Sequence, residues 1–339
     1  MRYLSVITRI VRTVAFAATL LPSCSFGQAV RLELASAYSA ETFQTQNTIQ
    51  FAADVKSDTG GALDIAVHPS GSLLKPAAIF GGVKDGKPAQ LGEIIMSNLS
   101  QEDVAFGLDS LPFFVGGYDD AQTLWRLSRP AVEKALDARG LLLLYATPWP
   151  PQNLYADRPI DTPADFHGLR MRDYGPSTER LAQLMGVGSV TIQMVDLGQA
   201  IADKKIDIML TSNLTGIETH AWNGMRYYYK VNAWIPKNIV FINKAAFAAL
   251  KPEMQKTLVQ DAARAEERGW QWSRAKDGEF EARLAAHNMQ IANVNPYVRR
   301  FLDITGEKLV HEYLGKVPQA EAGDLMRILV DYSMAHAKH

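Results

Sequence analysis

Along most of this chain, stretches whose apolar residues have the spacing of a strand alternate with stretches whose apolar residues have the spacing of a helix. This alternation limits the fold more than any other feature of the sequence. Val30 to Leu34 alternates apolar and polar residues as a half-buried strand does, and apolar residues at helical spacing follow. In this first stretch the strand patterns cover 30–34, 63–68 and 93–96, and the helical patterns cover 41–56 and 76–83. Strands separated by helices predict a parallel sheet covered on both faces, with ligand groups where strands end and helices begin.

A proline-rich break, Pro148-Trp149-Pro150-Pro151, divides the alternation into two stretches. Before the break a helical pattern covers 121–139 and an apolar strand covers 141–145. Beyond it the strand patterns cover 169–172, 190–193, 206–210 and 239–243, and the helical patterns cover 177–185 and 197–203. The sequence therefore predicts a second α/β unit that this linker joins to the first.

The last part of the chain is mostly helical. The sequence from Pro252 to about Asn288 is rich in Ala, Glu and Arg and predicts one long helix, and helical spacing continues over 297–332. Because each helical residue rises about 1.5 Å, the first of these helices is longer than a small domain is wide. We therefore expect it to contact both α/β units.

The N-terminal segment, residues 1–29, has the pattern of a secretory signal peptide. Basic residues come first, an uncharged apolar stretch covers 13–21, and small residues lead to Ala29. We expect the segment to be cleaved on export, because the apolar stretch is far shorter than the roughly 20 residues of a membrane span. An uncleaved membrane anchor is one alternative. Lipid attachment at Cys24 is another, since Leu21-Pro22-Ser23-Cys24 loosely resembles a lipoprotein box.

Charge and cysteine content exclude several classes of protein. The chain has 35 Lys and Arg against 36 Asp and Glu, so it lacks the positive field of a dedicated nucleic-acid binder. Its one cysteine, Cys24, excludes an internal disulfide framework and a zinc site built on several thiolates. The sequence predicts no metal, no cofactor and no nucleic-acid partner.

The catalytic motifs that the sequence approaches are incomplete. Residues 81–87 match the start of a phosphate-binding loop, but Pro88 stands where a Ser or Thr hydroxyl must hold magnesium. His311-Glu312 begins like a zinc-protease helix, but Gly315 replaces the second histidine ligand. The sequence therefore contains no recognisable catalytic signature of these kinds.

One strand end has the outline of a carboxylate receptor. In Leu169-Arg170-Met171-Arg172 the alternation places both arginines on one face, and Arg172 ends the strand. Gly175-Pro176-Ser177 then opens a helix, whose free N–H groups favour an anion. A guanidinium offers two donors in a rigid fork that matches a carboxylate, so Arg172 is a candidate ligand-binding residue. An ion pair between Arg172 and Asp173 or another surface acid is the alternative that spacing leaves open.

Several segments of the chain resemble the solute-binding proteins of tripartite ATP-independent periplasmic (TRAP) transporters, of the dicarboxylate-binding type. These segments are His68 to Leu73, Leu111 to Phe114 before Tyr118, Ala164 to Arg172, Ile206 to Met209 and Ile235 to Asn243. The order Gly-Leu-Arg-Met-Arg over 168–172, after Asp-Phe-His, is quite specific. The resemblance covers essentially the whole chain beyond the signal segment.

The resemblance implies an α/β fold of the two-lobed periplasmic binding protein type, with a cleft between the lobes and a long helix that spans both. Lobe I is expected to comprise 30–149 and 237–277, and lobe II 150–236 and 278–335. The hinge between them is expected to include 147–151 and 234–237. The implied function is periplasmic capture of a small organic acid and its delivery to membrane permease subunits, without chemical change.

Site residues also follow from the resemblance. The carboxylate-binding arginine of the family corresponds to Arg172, its polar contact from the second lobe to Thr211 or Ser212, and Gln152 stands near the place of a second family arginine. The other predicted ligand-binding residues are Trp149, Trp234, Glu93, Asn98 and Tyr38. Core packing for the two tryptophans, turn capping for Gln152 and Asn98, and a surface ion pair for Glu93 are the structural alternatives.

The class of ligand stays open at this point. One arginine with aromatic walls suits a monocarboxylate, a 2-oxo acid or an aromatic acid, whereas a C4-dicarboxylate favours a second cation. A receptor for a sensor protein presents the same binding residues as a transport receptor. An exported hydrolase or isomerase is the third alternative.

Overall fold

The computed structural model describes residues 29–336, which form two mixed α/β units. The strands are β1 (Val30–Ser36), β2 (Leu63–His68), β3 (Leu91–Ile95), β4 (Leu141–Pro148), β5 (Asn153–Ala156), β6 (Arg170–Asp173), β7 (Gly188–Thr191), β8 (Ile208–Thr211), β9 (Tyr227–Tyr229), β10 (Lys237–Asn243) and β11 (Gln290–Ala292). Every strand that the sequence predicts overlaps one of these. The predicted signal peptide lies, apart from Ala29, outside the described residues.

Helices cover the sheets. They are α1 (Phe43–Asp58), α2 (Ile79–Lys84), α3 (Tyr118–Asp137), α4 (Pro176–Met185), α5 (Met194–Ala202), α6 (Asn213–Glu218), α7 (Lys244–Ala248), α8 (Pro252–Ala286), α9 (Pro296–Gly315) and α10 (Gln319–His336). Within 29–336, none of the helices combines the length and the apolar character that crossing a bilayer requires.

Each unit is built on one sheet, and we call the units lobe I and lobe II. The sheet of lobe I has five strands in the order β2-β1-β3-β10-β4, and the sheet of lobe II has six in the order β11-β9-β5-β8-β6-β7. In lobe I, β3 is buried along its whole length and β10 is buried up to Ile242, so these two strands form the centre of the core. This confirms the two-lobed α/β fold.

The expectation of parallel sheets is wrong for one strand in lobe I and one in lobe II. β10 runs antiparallel to both β3 and β4, and β5 runs antiparallel to β8 and β9. The chain leaves lobe I through β4, builds lobe II, and re-enters lobe I through β10. A strand that returns from the other lobe enters the sheet from the opposite end, so it lies antiparallel to the strand that left.

The elements that the sequence analysis missed are short. β9 and β11 have three residues each and β5 has four, which is too short for a period of two to stand out from its surroundings. Helix α6 has six residues, fewer than two helical turns. These elements form because neighbouring strands and helices supply their hydrogen bonds and packing, which the local sequence does not reveal.

Two chain segments cross side by side between the lobes. The backbone N–H of Trp149 donates to the carbonyl of Pro236 at 2.8 Å, and Gln152 exchanges backbone bonds with Trp234 at 2.9 Å and Ala233 at 2.8 Å. These bonds extend the β4–β10 ladder past Pro148. The proline-rich break is therefore one of two crossing segments that are hydrogen-bonded to each other, and we call this pair the paired crossover.

The long helix α8 completes the connection between the lobes, and α10 packs on lobe I. As predicted, α8 is a single helix of 35 residues, and it contacts α1 and β4 in lobe I and α6 and β11 in lobe II. Residues 278–335 are expected in lobe II from the sequence, but α10 packs on α3 of lobe I. The reason is the apolar face of α10, since Leu325, Ile328 and Tyr332 are buried in the core of lobe I.

Gly92 and Gly278 provide a test of how closely α2 packs on β3. A Cβ atom at Gly92, in β3, would lie 2.7 Å from Cγ2 of Ile79 and 2.9 Å from Cζ of Phe241, whereas one at Gly278, in α8, would meet nothing within 4 Å. We expect Gly92→Ala to lower the free energy of unfolding by about 1–3 kcal/mol through overpacking. Gly278→Ala, the matched control, should raise it by about 0.5–1 kcal/mol, because alanine favours a helix interior. Urea denaturation measures both changes, and an unaffected Gly92→Ala protein would contradict the packing of α2 on β3.

Candidate ligand-binding site

A cavity of about 580 Å³ lies between the lobes. Six of the predicted residues line it: Tyr38, Asn98, Trp149, Gln152, Arg172 and Thr211. Tyr38 and Asn98 come from lobe I, Arg172 and Thr211 come from lobe II, and the other two lie in the first crossover segment. The volume is in the range of small-molecule sites in proteins, and contacts from both lobes suit a site that closes on its ligand.

Arg172 is a buried cation that forms no ion pair with an acidic residue of 29–336. Its residue is 4% exposed, and its Nε–H donates to the carbonyl of Ile192 at 3.0 Å. The Nη1 and Nη2 groups form no hydrogen bond or ion pair with any residue of 29–336. Burial lowers the pKa of Arg172 to about 10, and the Tyr174 ring, 4.8 Å from Cζ, favours the charged form. The guanidinium is therefore charged at neutral pH and has donors available to an anion.

Asp173, the alternative partner of Arg172, is engaged elsewhere. It is the next residue of β6, so its side chain leaves the opposite face of the strand. Its Oδ2 accepts hydrogen bonds from Ser189 at 2.7 Å and Thr191 at 3.0 Å, both on β7. The ion pair between neighbours that the sequence left open is therefore not formed.

Aromatic rings form part of the cavity wall. Tyr38 and Trp149 meet edge to face, with ring centroids 5.2 Å apart, and Tyr174 and Phe80 also line the cavity. The indole N–H of Trp149 donates to Oδ1 of Asn238 at 2.8 Å. Such a wall offers flat apolar surface to a compact ligand, while the indole N–H of Trp149 is satisfied within the protein.

Neutral polar groups supplement the arginine. The side-chain amide of Gln152 donates to the carbonyl of Pro150 at 2.9 Å. Its Oε1 atom and the Thr211 hydroxyl form no hydrogen bond with residues 29–336, and both side chains are 3% exposed. Because buried polar groups are normally satisfied, these two are available to a ligand. Asn98 is exposed on the side of lobe I.

Glu93 does not line the cavity, contrary to its predicted role as a ligand contact. It is 1% exposed on β3, where its Oε2 accepts from Ser36 at 2.7 Å and its Oε1 accepts from Asn238 at 3.0 Å. The surface ion pair named as its alternative is also not formed. Glu93 therefore lies behind the cavity wall, and Asn238 links it to Trp149 by hydrogen bonds.

Ser212 and Trp234 are likewise absent from the cavity wall. Ser212 begins helix α6, and its hydroxyl accepts from the backbone N–H of Thr215 at 3.1 Å, so it serves as a helix cap. Trp234 is 2% exposed and packs in the core of lobe II. Burial raises the pKa of Tyr174 to about 12, while the charge of Arg172 and the Trp234 indole oppose that rise.

The sequence analysis missed several residues of the wall. Tyr174 follows Arg172 by two positions at the same strand end, and the rule that ligands bind at strand ends could have identified it. Lys75 lines the cavity from lobe I at an exposed position and has no ion pair among residues 29–336. Phe80 and Thr215 belong to helical segments whose orientation depends on the fold, and no sequence signal marks them.

The lobes meet beside the cavity. The Thr42 hydroxyl of lobe I donates to Oε1 of Glu218 of lobe II at 2.8 Å. At a second point, a Cβ atom at Gly175 would lie 3.2 Å from Oδ1 of Asn98, so the absence of a side chain permits a close approach there. Burial raises the pKa of Glu218 to about 7, the Thr42 bond opposes this rise, and the charge of Glu41 adds to it. The conformation described is therefore one in which the lobes touch.

This architecture and site define a solute-binding protein. The chain matches the profile of the bacterial extracellular solute-binding protein family 7 (DctP) over residues 34–315, and it belongs to that family.

Two solved structures are similar to this chain over nearly all of their length. DctP7 of Bordetella pertussis, an extracytoplasmic solute receptor binding pyroglutamic acid, is 36% identical, with a TM-score of 0.86 over 89% of this chain and 99% of that one. A TRAP solute-binding protein from a marine metagenome, specific for pyroglutamate, is 30% identical, with a TM-score of 0.86 over 91% of this chain and 100% of that one.

A curated solute-binding protein from Albidiferax ferrireducens is 22% identical over 210 residues. That match spans 59% of this chain and 61% of the relative's length, less than two thirds of the relative.

The contact between Thr42 and Glu218 generates a pH prediction. A pKa raised to about 7 in the folded protein, from an ordinary value of 4.5, means that folding favours the protonated carboxyl. The stabilisation is complete below 4.5 and is lost as pH rises through 7. We expect the unfolding free energy of the wild type to fall by roughly 1–3 kcal/mol more than that of Glu218→Gln between pH 5 and pH 8.5.

Urea denaturation at both pH values measures the difference, and Glu279→Gln, at an exposed position of α8, is the matched control. Equal pH dependence of the wild type and Glu218→Gln would contradict the burial of this carboxyl between the lobes.

Proposed function

We propose that this protein is an extracytoplasmic receptor that captures a small organic acid between its lobes. The observation that carries the proposal is the Arg172 guanidinium, which is buried, charged and without an acidic partner among residues 29–336, beside a cavity of about 580 Å³. Desolvating a cation is costly unless an anion compensates it. A ligand carboxylate placed on the free Nη groups supplies that compensation through a two-point contact.

The other wall residues narrow the class of ligand. The cavity holds one buried cation, aromatic surfaces and unsatisfied neutral groups on Gln152 and Thr211. This set suits a compact monocarboxylate with a ring and with neutral hydrogen-bonding atoms. Pyroglutamate has these features, since its lactam carries one donor and one acceptor beside the carboxylate. Two similar receptors, at 36% and 30% identity, bind it.

A C4-dicarboxylate is the second candidate class. Lys75 supports it, because this exposed lysine lines the cavity from lobe I and has no ion pair within 29–336. An exposed ammonium is screened by water and contributes less than a buried guanidinium. We therefore place the cyclic monocarboxylate first.

Binding would drive closure of the lobes. A ligand shifts the equilibrium toward a closed state only by its additional affinity for that state, so it must contact both lobes. Arg172 and Thr211 offer contacts from lobe II, and Tyr38 and Asn98 offer them from lobe I. The paired crossover at Trp149 is where the chain would flex. Exclusion of water on closure strengthens the contact between the carboxylate and the guanidinium.

The proposal includes delivery of the ligand, unchanged, to the permease subunits of a TRAP transporter. The predicted signal segment and membership of an extracellular family support export to the periplasm. Uptake of labelled ligand into vesicles that contain the permease subunits, with and without this protein, tests this part. Transport that does not depend on the protein would favour a sensory role instead.

Calorimetry with pyroglutamate tests the proposed site. We expect a dissociation constant in the micromolar range, which corresponds to roughly 8 kcal/mol. Arg172→Leu should weaken binding by about 2–5 kcal/mol, because the ligand carboxylate would lose its charged partner. Arg172→Lys should recover only part of the loss, since an ammonium lacks the two-donor fork.

Arg170→Gln is the matched control. Arg170 lies on the same strand but outside the cavity, where its guanidinium binds Asp207 at 2.7 Å. Its substitution should leave the affinity within about twofold of wild type. An affinity that Arg172→Leu leaves unchanged would remove Arg172 from the site, and an absence of binding by any organic acid would overturn the proposed function.

A further inference from the structure

Glu93 is a buried carboxyl that the proposed ligand contacts do not use. It is 1% exposed in the central strand β3, and no basic residue of 29–336 forms an ion pair with it. Its hydrogen-bond donors are neutral: Ser36 at 2.7 Å, Thr45 at 3.4 Å and Asn238 at 3.0 Å. Burial raises the pKa of Glu93, and the hydrogen bonds from Ser36, Asn238 and Thr45 oppose that rise. The carboxyl is therefore the shared acceptor of three buried side chains.

One line of hydrogen bonds runs from Glu93 to the cavity wall through Asn238. The Nδ2 group of Asn238 donates to Oε1 of Glu93 at 3.0 Å, so the Oδ1 atom of the same amide is turned away from Glu93. That Oδ1 accepts the indole N–H of Trp149 at 2.8 Å. Glu93 thereby determines which way the amide of Asn238 points, and the amide holds the indole.

A second line runs through Ser36 to the other ring of the same wall. The Ser36 hydroxyl donates to Oε2 of Glu93, so its oxygen is free to accept the backbone N–H of Tyr38 at 3.2 Å. The rings of Tyr38 and Trp149 meet edge to face at 5.2 Å, and both line the cavity. We call these two residues the aromatic corner.

We infer that Glu93 is the positioning residue of the aromatic corner, and that it sets the place of Tyr38 and Trp149 without touching the ligand. The inference rests on the proposed function for its effect on binding. The backbone of Trp149 is bonded to the other crossing segment, and the hydrogen bond from its indole to Asn238 joins the ring to the sheet of lobe I. A wall held in this way is already in place when the ligand arrives, which lowers the ordering cost of binding.

The test combines binding with a direct signal from the indole. Glu93→Gln and Asn238→Ala are prepared alone, and Asn238→Ala is also combined with Trp149→Phe, which has no N–H to hold. Pyroglutamate affinity is measured by calorimetry. The indole N–H resonances of the ligand-free protein are recorded by nitrogen-15 NMR. The chain has six tryptophans, and the resonance that disappears in Trp149→Phe identifies Trp149.

We expect Asn238→Ala to weaken pyroglutamate binding about tenfold in the wild-type background and less than about twofold in the Trp149→Phe background. Glu93→Gln should weaken it about three- to tenfold, because its amide presents a donor either to Asn238 or to Ser36. Both single variants should move the Trp149 resonance. Thr305→Val, the matched control, changes a buried hydroxyl of α9 that bonds only within its helix. It should change neither readout.

An equal loss of affinity from Asn238→Ala in both backgrounds, or an unmoved Trp149 resonance in Glu93→Gln, would overturn the inference and leave Glu93 a packing role. Urea denaturation of each variant separates loss of fold from loss of position. If the wild type binds no organic acid, the proposed function fails, and the NMR signal of the ligand-free protein still decides whether Glu93 positions Trp149.

Discussion

A buried guanidinium without an acidic partner in the described chain is the interaction on which this site depends. Arg172 gives up most of its hydration, keeps one hydrogen bond to Ile192 and gains partial compensation from the Tyr174 ring. That compensation is incomplete, because a ring face attracts a cation less strongly than a carboxylate does. We propose that an anion completes this site and that the energy of its binding holds the lobes together.

The Arg172 site lies between two lobes that are connected at several points. Paired crossover segments connect the lobes near Trp149, α8 spans both lobes, and the Thr42–Glu218 bond joins them beside the cavity. A ligand held by both lobes adds to contacts of this kind. Under the proposed function, the balance between open and closed states would depend on the ligand, on the half-buried carboxyl of Glu218 and on the aromatic corner.

The residues that the sequence identified and those that it missed differ in how local their signals are. Arg172 stands at the end of a strand with clear alternation, so its face and its position follow from the nearest ten residues. Glu93 also lies on a predicted strand, but β3 is buried on both faces, and alternation therefore says nothing about which side faces the cavity. Trp234 and Ser212 are near the site in sequence and are turned away from it by core packing and by helix capping.

The sequence by itself determined most of the strands and the longer helices, the break between two α/β units and the candidate arginine, because each depends on a period or a turn within a short window. Only the tertiary structure decided that β10 lies antiparallel between β3 and β4, that α10 returns to lobe I, and that Lys75 and Tyr174 line the same cavity as Arg172. Those outcomes depend on which surfaces, distant in sequence, pack together. The hydrophobic effect is non-directional, so the local sequence does not show which surfaces will meet.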